Sequence, residues 1–344
     1  MSRYNTSQIM KNQETIKVYS LGCRLNALEA EKIRAMLNAS GLSNCVIINT
    51  CAVTNEALRQ SRQQLHKIIR ENPDTKIFVT GCGAELQPLD FKSKNVSVIS
   101  NKDKFNPAAY NIQHAEYHLS RFVRMREKGF VQIGDGCNRA CTYCITRILR
   151  GPAVHFPYER ILADAKILAE NGYKEIILTG VNIADWYEGH NTLPNLCKNL
   201  LHDLPKIEYL TLSSLDPAAD IEKIIELTRQ NSRMTKHLHL SVQSGCDKIL
   251  RPMARRHTAG RIRDIHNLCR AANITVSWDI ICGFPGETIE LFNETLDLAN
   301  ELKPIKIHAF PFSARPGTPA ATMPDQISRA ESKKRVKILS ELSD

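Results

Sequence analysis

Short apolar, β-rich runs alternate with helix-length amphipathic segments along most of this 344-residue chain. Such runs come in two groups, four before and six after a charged, aperiodic stretch at residues 101–126. Since strands that alternate with helices usually pair in parallel, this rhythm predicts parallel sheets covered by helices. The runs lie at residues 16–20, 45–50, 76–80, 96–99, 130–133, 174–179, 207–213, 236–242, 274–281 and 305–310.

Two groups of strands predict two domains, and the length agrees, because domains cluster near roughly 100 to 200 residues. We assign residues 1–115 to an N-terminal α/β domain with an open parallel sheet and residues 116–344 to a second α/β domain. The second domain is predicted to be a partial β/α barrel of six units, too few to close an eight-stranded barrel. Functional side chains are expected at the carboxyl ends of the strands in both domains. A last helix is predicted near residues 328–342.

The composition is 42% hydrophobic and 24% charged, as in globular proteins, and no apolar run is long enough to cross a bilayer. The polar start of the chain lacks a signal-peptide pattern, so we expect a cytoplasmic protein with no membrane partner. In that reducing compartment, eleven cysteines point to metal binding or catalysis more than to disulfides. The net charge of +10 is compatible with a nucleic-acid partner, although the basic residues are spread along the chain.

The segment GDGCNRACTYC holds three cysteines, Cys137, Cys141 and Cys144, just after the strand at residues 130–133. Zinc sites usually have four ligands, and the sequence has no second C-x-x-C pair to supply the others. A 4Fe-4S cluster held by three cysteines leaves one iron open to a small molecule while the cluster donates an electron. We therefore predict an iron-sulfur cluster here, with structural zinc as the alternative.

A second set of cysteines is dispersed in sequence. Cys23, Cys51 and Cys82 each lie within a few residues of a predicted strand end, and Gly22 and Gly81 favour sharp turns there. Because the carboxyl ends of parallel strands share one edge of a sheet, these three cysteines are predicted to meet in space. We predict a second three-cysteine iron-sulfur cluster with an open iron. The other five are expected to be buried without a ligand role: Cys45, Cys197, Cys246, Cys269 and Cys282.

The first motif, with Tyr143 directly before its last cysteine, resembles the signature of the radical-SAM superfamily. That resemblance implies that S-adenosylmethionine binds the open iron of the Cys137 cluster. Its reductive cleavage would then give methionine and a 5′-deoxyadenosyl radical. Both cysteine sets together make nearly the whole chain resemble the methylthiotransferase family, through LGCRLN, NTCAVTNEALRQSRQ, VTGC, GCNRACTYC, EIILTGVNI, LSSLDP, HLSVQSGCDKILRPMARRH, DIICGFPGET and FSARPGTPAATM.

The motifs around the first two auxiliary cysteines are most similar to the branch that modifies N(6)-threonylcarbamoyladenosine beside the tRNA anticodon. The resemblance implies methylthiolation of adenine carbon-2. One S-adenosylmethionine would methylate sulfur carried at the auxiliary cluster, and a second would supply the radical at the catalytic Cys137 cluster. Implied partners are the tRNA anticodon stem-loop and a reducing donor such as flavodoxin or ferredoxin. Alternative substrates are isopentenyladenosine in tRNA and a ribosomal protein, and a non-catalytic iron-sulfur or zinc RNA-binding protein is the alternative of another class.

The remaining motif residues receive lesser roles. Candidates for the S-adenosylmethionine pocket are Tyr143, Gly180, Asn182, Gln243, Ser244, Arg255 and Gly283, with Arg255 facing the carboxylate of the cofactor. Glu287 of FPGET is expected to cap a helix. Lys333, Lys334, Arg335 and Lys337 are expected on a solvated helix face or in a basic patch.

The sequence also departs from the family pattern in two places. Gly83 follows Cys82 where a larger side chain is more usual. In addition, the C-terminal RNA-binding β-barrel of the family is not expected within these 344 residues.

Overall fold

The computed structural model describes residues 16–113 and 128–342. The chain divides into two compact units, Met1–Val123 and Arg124–Asp344. The expected domain boundary at residues 115/116 lies outside the described residues. Among those described, no helix combines the length and apolar character needed to cross a bilayer.

The first unit is a four-stranded parallel sheet in the order β1-β2-β3-β4. Helix α1 packs on one face of the sheet through Ile33, Met36 and Leu37, and α2 packs on the other through Leu58, Leu65 and Ile68. The elements are β1 Lys17–Ser20, α1 Arg24–Ala39, β2 Cys45–Thr50, α2 Asn55–Glu71, β3 Lys76–Gly81, α3 Cys82–Leu86 and β4 Val96–Val98.

The second unit starts with β5 Lys128–Gln132 and contains six longer strands, each followed by helix-forming sequence. Its elements continue with β6 Gly134–Asp135, α4 Thr146–Arg150, β7 Val154–His155, α5 Tyr158–Glu170, β8 Glu175–Thr179, β9 Tyr187–Glu188, β10 Asn191–Thr192 and α6 Leu193–Asp203. They end with β11 Tyr209–Leu212, α7 Ile221–Gln230, β12 His237–Gln243, α8 Asp247–Leu250, α9 Ala259–Ala271, β13 Thr275–Cys282, α10 Ile289–Leu302, β14 Lys306–Pro311 and α11 Arg329–Glu341.

Two three-stranded parallel sheets, β11-β8-β5 and β12-β13-β14, form the framework of this unit. They are joined by an isolated parallel bridge between Leu215 and Leu240. The Leu215 N–H donates to the carbonyl of His239 at 2.8 Å, and the Ser241 N–H donates to the carbonyl of Leu215 at 2.9 Å. Six parallel strands alternating with helices confirm the predicted fold class: an open parallel sheet followed by a six-unit partial β/α barrel.

The strands of the second unit have two chemically different faces. On β12, Leu238, Leu240 and Val242 are buried in the core that the helices cover. His237 and His239 alternate with them and are only partly buried. Because successive side chains of a strand point to opposite faces, the polar residues line the face away from the helices.

Two expectations about the end of the chain were wrong. Glu287 lies before α10, which begins at Ile289 with Thr288 as its N-cap, so Glu287 caps no helix. Arg335 is 4% exposed and pairs with Glu287, with 2.9 Å between Nη1 and Oε2. The α11 helix therefore turns Arg335 inward, away from any basic surface patch.

Candidate active site

The three dispersed cysteines lie at one edge of the first sheet. Cys51 directly follows β2, Cys82 directly follows β3, and Cys23 precedes α1 just after β1. The register pairs Ser20 with Asn49 and Asn49 with Thr80, so the three strands end at the same level. Cys23 is exposed, whereas Cys51 and Cys82 are buried.

Glycines allow these turns to approach each other closely. Gly22 has φ of +95°, and a Cβ there would lie 2.5 Å from Cys51 Sγ. Gly81 has φ of +92°, and a Cβ there would lie 2.1 Å from Asn49 Oδ1. Even at Gly83 a Cβ would come within 3.0 Å of Thr50, which accounts for the small residue after Cys82. A larger residue at Gly22 or Gly81 would therefore push the cysteine-bearing turns apart.

Asn26 ties the Cys23 turn to the end of β2. Its side-chain N–H₂ donates to the carbonyls of Leu21 and Thr50, each at 3.0 Å. Its Oδ1 lies 3.6 Å from Cys23 Sγ. Asn26 is 1% exposed, so these hydrogen bonds between the Cys23 turn and the end of β2 are shielded from solvent.

Thr50 connects the next pair of turns in the same way. Its hydroxyl donates to the carbonyl of Thr80 at 2.6 Å and accepts from the N–H of Ala84 at 2.9 Å. Ser61 of α2 accepts from the N–H of Cys51 at 3.1 Å. Each cysteine-bearing turn is thus held by a side chain from a neighbouring element.

A buried ion pair lies beneath this network. Lys104 Nζ is 2.7 Å from Glu29 Oε1, and the two side chains are 2% and 0% exposed. Asn49 donates to the carbonyl of Asn26 at 2.8 Å and to Glu29 Oε2 at 3.4 Å. Because buried charges and amides are costly unless they are paired, this connected set fixes the sheet edge in one arrangement.

The second cysteine set lies on the loop between β6 and α4. The N–H of Cys137 donates to the carbonyl of Gly151 at 3.1 Å, and the N–H of Cys144 donates to the carbonyl of Cys141 at 3.1 Å. Burial raises the pKa of the Cys137 thiol, and charge on Cys144 and Cys141 raises it further. The N–H of Arg139 opposes this by donating to Cys137 Sγ at 3.3 Å. The three sulfurs are therefore close enough to interact electrostatically.

Arg255 reaches the same loop. Its Nη1 donates to Cys141 Sγ at 3.4 Å, and its Nη2 donates to the carbonyl of Ser241 at 2.8 Å. Asp216 Oδ2 lies 3.2 Å from Nη2 and orients the guanidinium. The Nε of Arg255 is buried without a hydrogen-bond partner. Burial and the positive charge of Arg255 lower the pKa of neighbouring His257 to about 4, so that imidazole is neutral.

A second arginine, Arg139, anchors the cysteine loop to the turn after β8. It pairs bidentately with Asp185, with Nε to Oδ2 at 2.7 Å and Nη2 to Oδ1 at 2.6 Å. Asn182 donates to the same Oδ2 at 2.7 Å. Gly180 and Asn182 line a cleft with residues of β6 and β7. The side-chain amide of Asn182 thus has a partner within the protein.

The other pocket candidates are more deeply packed. Tyr143 packs against the apolar cluster that contains Met253 and Phe284, and burial raises its pKa well above the ordinary value. Ser244 is 0% exposed, and its Oγ is 3.3 Å from Thr295 Oγ1 of α10.

The two candidates with left-handed backbone lie at strand ends. Gln243 ends β12 with φ of +71°. Gly283, with φ of +79°, follows β13, and a Cβ there would lie 2.0 Å from Ser332 Oγ of α11. The structure thus brings Arg255 to the cysteine loop and gives Ser244 and Gly283 packing contacts to helices.

Sequence reasoning missed the residues that orient the site. Asp216 and Asn26 lie inside motifs singled out for resemblance, and Arg139 lies between two of the cysteines, but their partners are distant in sequence. Asp185 lies outside every motif, so the sequence gives no indication of its role. The five cysteines expected to be buried are all buried: Cys45, Cys197, Cys246, Cys269 and Cys282.

The three-cysteine donor sets fit iron-sulfur clusters. In residues 16–113 and 128–342, no three His, Cys, Asp or Glu side chains are grouped closely enough to ligate one metal ion. In a 4Fe-4S cluster each thiolate binds a different iron, so the cluster needs a wider spacing than a single ion does. At the first sheet edge, the turns that carry Cys23, Cys51 and Cys82 converge, and Gly22 approaches Cys51 closely.

Comparison with known proteins agrees with this arrangement. Residues 131–299 match the family model "Radical SAM superfamily", and residues 15–100 match "Uncharacterized protein family UPF0004". A threonylcarbamoyladenosine tRNA methylthiotransferase, MtaB, of Rickettsia prowazekii (strain Madrid E) is 37% identical over 96% of this chain and 83% of its own length. The chain belongs to the radical-SAM methylthiotransferases.

Other relatives in this family carry two different names. The MtaB protein of Bacillus subtilis (strain 168) is 32% identical over 96% of this chain and 80% of its own length. A tRNA-2-methylthio-N(6)-dimethylallyladenosine synthase of Francisella tularensis subsp. holarctica (strain LVS) is 31% identical over 97% and 84%.

A solved structure supports the fold. The radical S-adenosylmethionine methyltransferase TsrM from Kitasatospora setae matches with a TM-score of 0.66 at 12% identity, over 90% of this chain and 75% of that chain. Radical-SAM membership implies a 4Fe-4S cluster and S-adenosylmethionine as cofactors of this methylthiotransferase.

Proposed function

We propose that this enzyme adds a methylthio group to carbon-2 of N(6)-threonylcarbamoyladenosine in tRNA. The observation that carries the proposal is the 37% identity to a threonylcarbamoyladenosine tRNA methylthiotransferase over 96% of the chain. Three further relatives of the same name, at 30–34% identity, support it. The expected substrate region is the anticodon stem-loop, and the net charge of +10 suits a polyanion.

Two clusters are assigned to the two cysteine sets. Cys137, Cys141 and Cys144 would hold the cluster that supplies the electron for cleaving S-adenosylmethionine, and Cys23, Cys51 and Cys82 would hold a second one that supplies sulfur. Support for the second cluster comes from the close approach of Gly22 to Cys51 and from the exposure of Cys23 beside two buried thiols. The second cluster would be held by the domain at residues 1–115, and the cluster that cleaves S-adenosylmethionine by the domain at residues 116–344.

The protein's own side chains would orient the cofactor. Arg255, whose buried Nε has no hydrogen-bond partner, would face the carboxylate of S-adenosylmethionine while Asp216 fixes its plane. Gly180, Asn182, Gln243 and the tight Gly283 turn would shape the pocket, and Tyr143 and Ser244 would support it by packing. A flavodoxin or ferredoxin in the cytoplasm would supply the electron.

Nucleoside mass spectrometry of tRNA tests the substrate. A strain lacking this gene should lose 2-methylthio-N(6)-threonylcarbamoyladenosine and accumulate its unthiolated precursor. Complementation with the wild-type gene should restore the product, whereas a gene carrying Cys137→Ala should not. An unchanged threonylcarbamoyl pool with a change in the dimethylallyl nucleosides would assign the enzyme to the substrate of the Francisella relatives instead. No nucleoside change at all would contradict a tRNA substrate.

A further inference from the structure

Three ionisable side chains cluster on the face of β12–β14 that lies away from the helices. His239 lies on β12, Asp279 on β13 and His308 on β14. The register pairs Asp279 with His308, and His239 with Ser277. On the other face of the same strands, side chains such as Trp278 and Ile307 are buried in the core. The polar cluster is therefore not needed to close that core.

The contacts within the cluster are specific. His239 Nε2 lies 2.9 Å from Asp279 Oδ1, and the His239 and His308 rings stack with centroids 5.1 Å apart and planes 15° from parallel. Ser214 Oγ donates to Asp279 Oδ2 at 3.3 Å. His308 is exposed, and the His239 and Asp279 side chains are 25% and 24% exposed although His239 Nε2 itself is buried, so a ligand can reach the cluster from the His308 side.

His237 differs from the other two histidines. Its Nδ1 lies 2.8 Å from Thr275 Oγ1 and its Nε2 lies 2.9 Å from Ser277 Oγ. Burial, together with the charges of His239 and His308, lowers its pKa, so it stays neutral and bound to hydroxyl groups. His237 therefore supports the cluster from within the protein, and the residues available to contact a ligand are His239, Asp279 and His308.

The cluster lies close to the catalytic cysteine loop. Ser241 is bound through its carbonyl to Arg255, which in turn contacts Cys141. His239 is two residues before Ser241 on the same strand face, a separation of about 7 Å. In adenine, three bonds separate N6 from C2, through C6 and N1, and a substituent on N6 extends further from C2. A group that recognises an N6 substituent is therefore expected at some distance from the reacting carbon, as His239 is.

We propose that His239, Asp279 and His308 recognise the N6 substituent of the modified adenosine and favour a carboxylate-bearing substituent over an alkyl one. This inference rests on the proposed function. A threonylcarbamoyl group carries urea N–H groups, which can donate hydrogen bonds to Asp279. It also carries a carboxylate, which can accept hydrogen bonds from the imidazole N–H groups of His239 and His308. A dimethylallyl group has no hydrogen-bonding atoms. Binding it here would desolvate these side chains without compensation.

The test uses the anaerobically reconstituted full chain and three anticodon stem-loop RNAs. The RNAs are identical except for the target base, which is adenosine, N(6)-threonylcarbamoyladenosine or N(6)-dimethylallyladenosine. Affinity is measured by fluorescence anisotropy and methylthiolation by mass spectrometry. For His308→Leu, affinity for the threonylcarbamoyl RNA should fall on the order of tenfold to hundredfold, because a charged hydrogen bond is lost. Affinity for the other two RNAs should not change.

Controls keep the inference falsifiable. His202→Leu, at a side chain 87% exposed on α6, should alter none of the affinities. Asp279→Asn preserves volume and should reproduce the selective loss, and iron content and unfolding midpoint report whether each variant folds. Equal losses for all three RNAs, or no loss in either variant, would overturn the inference while the wild-type substrate assignment stands. Wild-type conversion of the dimethylallyl RNA alone would overturn both the inference and the proposed function.

Discussion

Single polar residues below the first sheet edge set the positions of the cysteines above them. Asn26 and Thr50 are 1% and 0% exposed, yet each uses its polar atoms to join two cysteine-bearing turns. A buried polar group without a partner costs stability, so these residues are useful only in the arrangement that satisfies them. Their function is therefore to position ligands that they need not touch.

The substitution Asn26→Ala tests this role. It leaves the carbonyls of Leu21 and Thr50 without their amide donor, at a cost of about 1 to 3 kcal/mol in unfolding free energy. The Cys23 turn should loosen, and iron in the reconstituted protein should fall from about eight towards four atoms per chain. Asn38→Ala, at an exposed position of the same helix, is the matched control. Full iron content in Asn26→Ala would contradict the positioning role.

His266 makes the second unit sensitive to acid. Trp278 Nε1 donates to His266 Nε2 at 2.8 Å, so this nitrogen must be unprotonated, and burial lowers the pKa of the imidazole to about 4. The unfolded chain, with an ordinary pKa of about 6.5, takes up the proton first. Stability is therefore lost as pH falls from about 6.5 to 4.

Replacing this imidazole should weaken that dependence. The unfolding free energy falls between pH 7 and pH 5 in the wild type. In His266→Leu this decrease should be smaller by roughly 2 kcal/mol. Denaturant unfolding at the two pH values measures the difference. Part of the dependence should remain, since burial also lowers the pKa of His257 to about 4. The exposed His202→Leu should behave as the wild type, and an unchanged slope in His266→Leu would refute the assignment.

Among the elements, α11 is joined to the turn after β13 by one buried pair. Arg335 Nη1 lies 2.9 Å from Glu287 Oε2, which also accepts from the N–H of Gly283 at 2.5 Å. Burial raises the pKa of Glu287, while Arg335 opposes the rise. This pair connects the last helix to the strand end where Gly283 turns the chain.

Arg335→Met would leave the Glu287 carboxylate buried without its cation. The expected loss is about 3 to 5 kcal/mol of unfolding free energy, measured by denaturant titration. Lys337→Met, on the same helix but 80% exposed, should change stability by less than about 0.5 kcal/mol. Glu287→Gln combined with Arg335→Met should recover much of the loss; a double variant as unstable as the single one would exclude charge burial as the cause.

The longer elements could be predicted because burial of one face gives their sequence a periodic pattern of apolar residues. The ten strands of three or more residues all lie within two residues of the apolar runs that predict them. The two-residue strands β6, β7, β9 and β10 are too short to show a period, and none was predicted. The predictions for Glu287 and Arg335 are wrong because each has the local sequence of a surface residue. Their burial is explained by their pairing with each other across 48 residues of sequence.

For the candidate site, the sequence predicts the ligand types but not their supports. Cysteine spacing and strand ends suffice to group Cys23, Cys51 and Cys82, since parallel strands end at one edge. The contact of Asp216 with Arg255, and that of Asp185 with Arg139, depend on how distant loops pack. Such contacts leave no periodic trace in the sequence.

At the scale of the whole molecule, each unit carries one three-cysteine set at the carboxyl ends of its parallel strands. In parallel α/β sheets this edge is where loops can vary without disturbing the core. Each unit has cores formed by its own elements, so loss of one cysteine set should not unfold the unit that carries the other. The two proposed chemical tasks are therefore separable by mutation.

Replacing Cys23, Cys51 and Cys82 together with alanine tests that division of labour. The variant should retain about four irons per chain and still release 5′-deoxyadenosine on reduction, because the Cys137 set and Arg255 belong to the other unit. It should form no methylthio product, since the proposed sulfur-bearing site is gone. Alanine at Cys137, Cys141 and Cys144 should abolish both, whereas Cys45→Ala, in the core of β2, should preserve both clusters. Loss of S-adenosylmethionine cleavage in the first variant, with its fold intact, would mean that both cysteine sets take part in generating the radical.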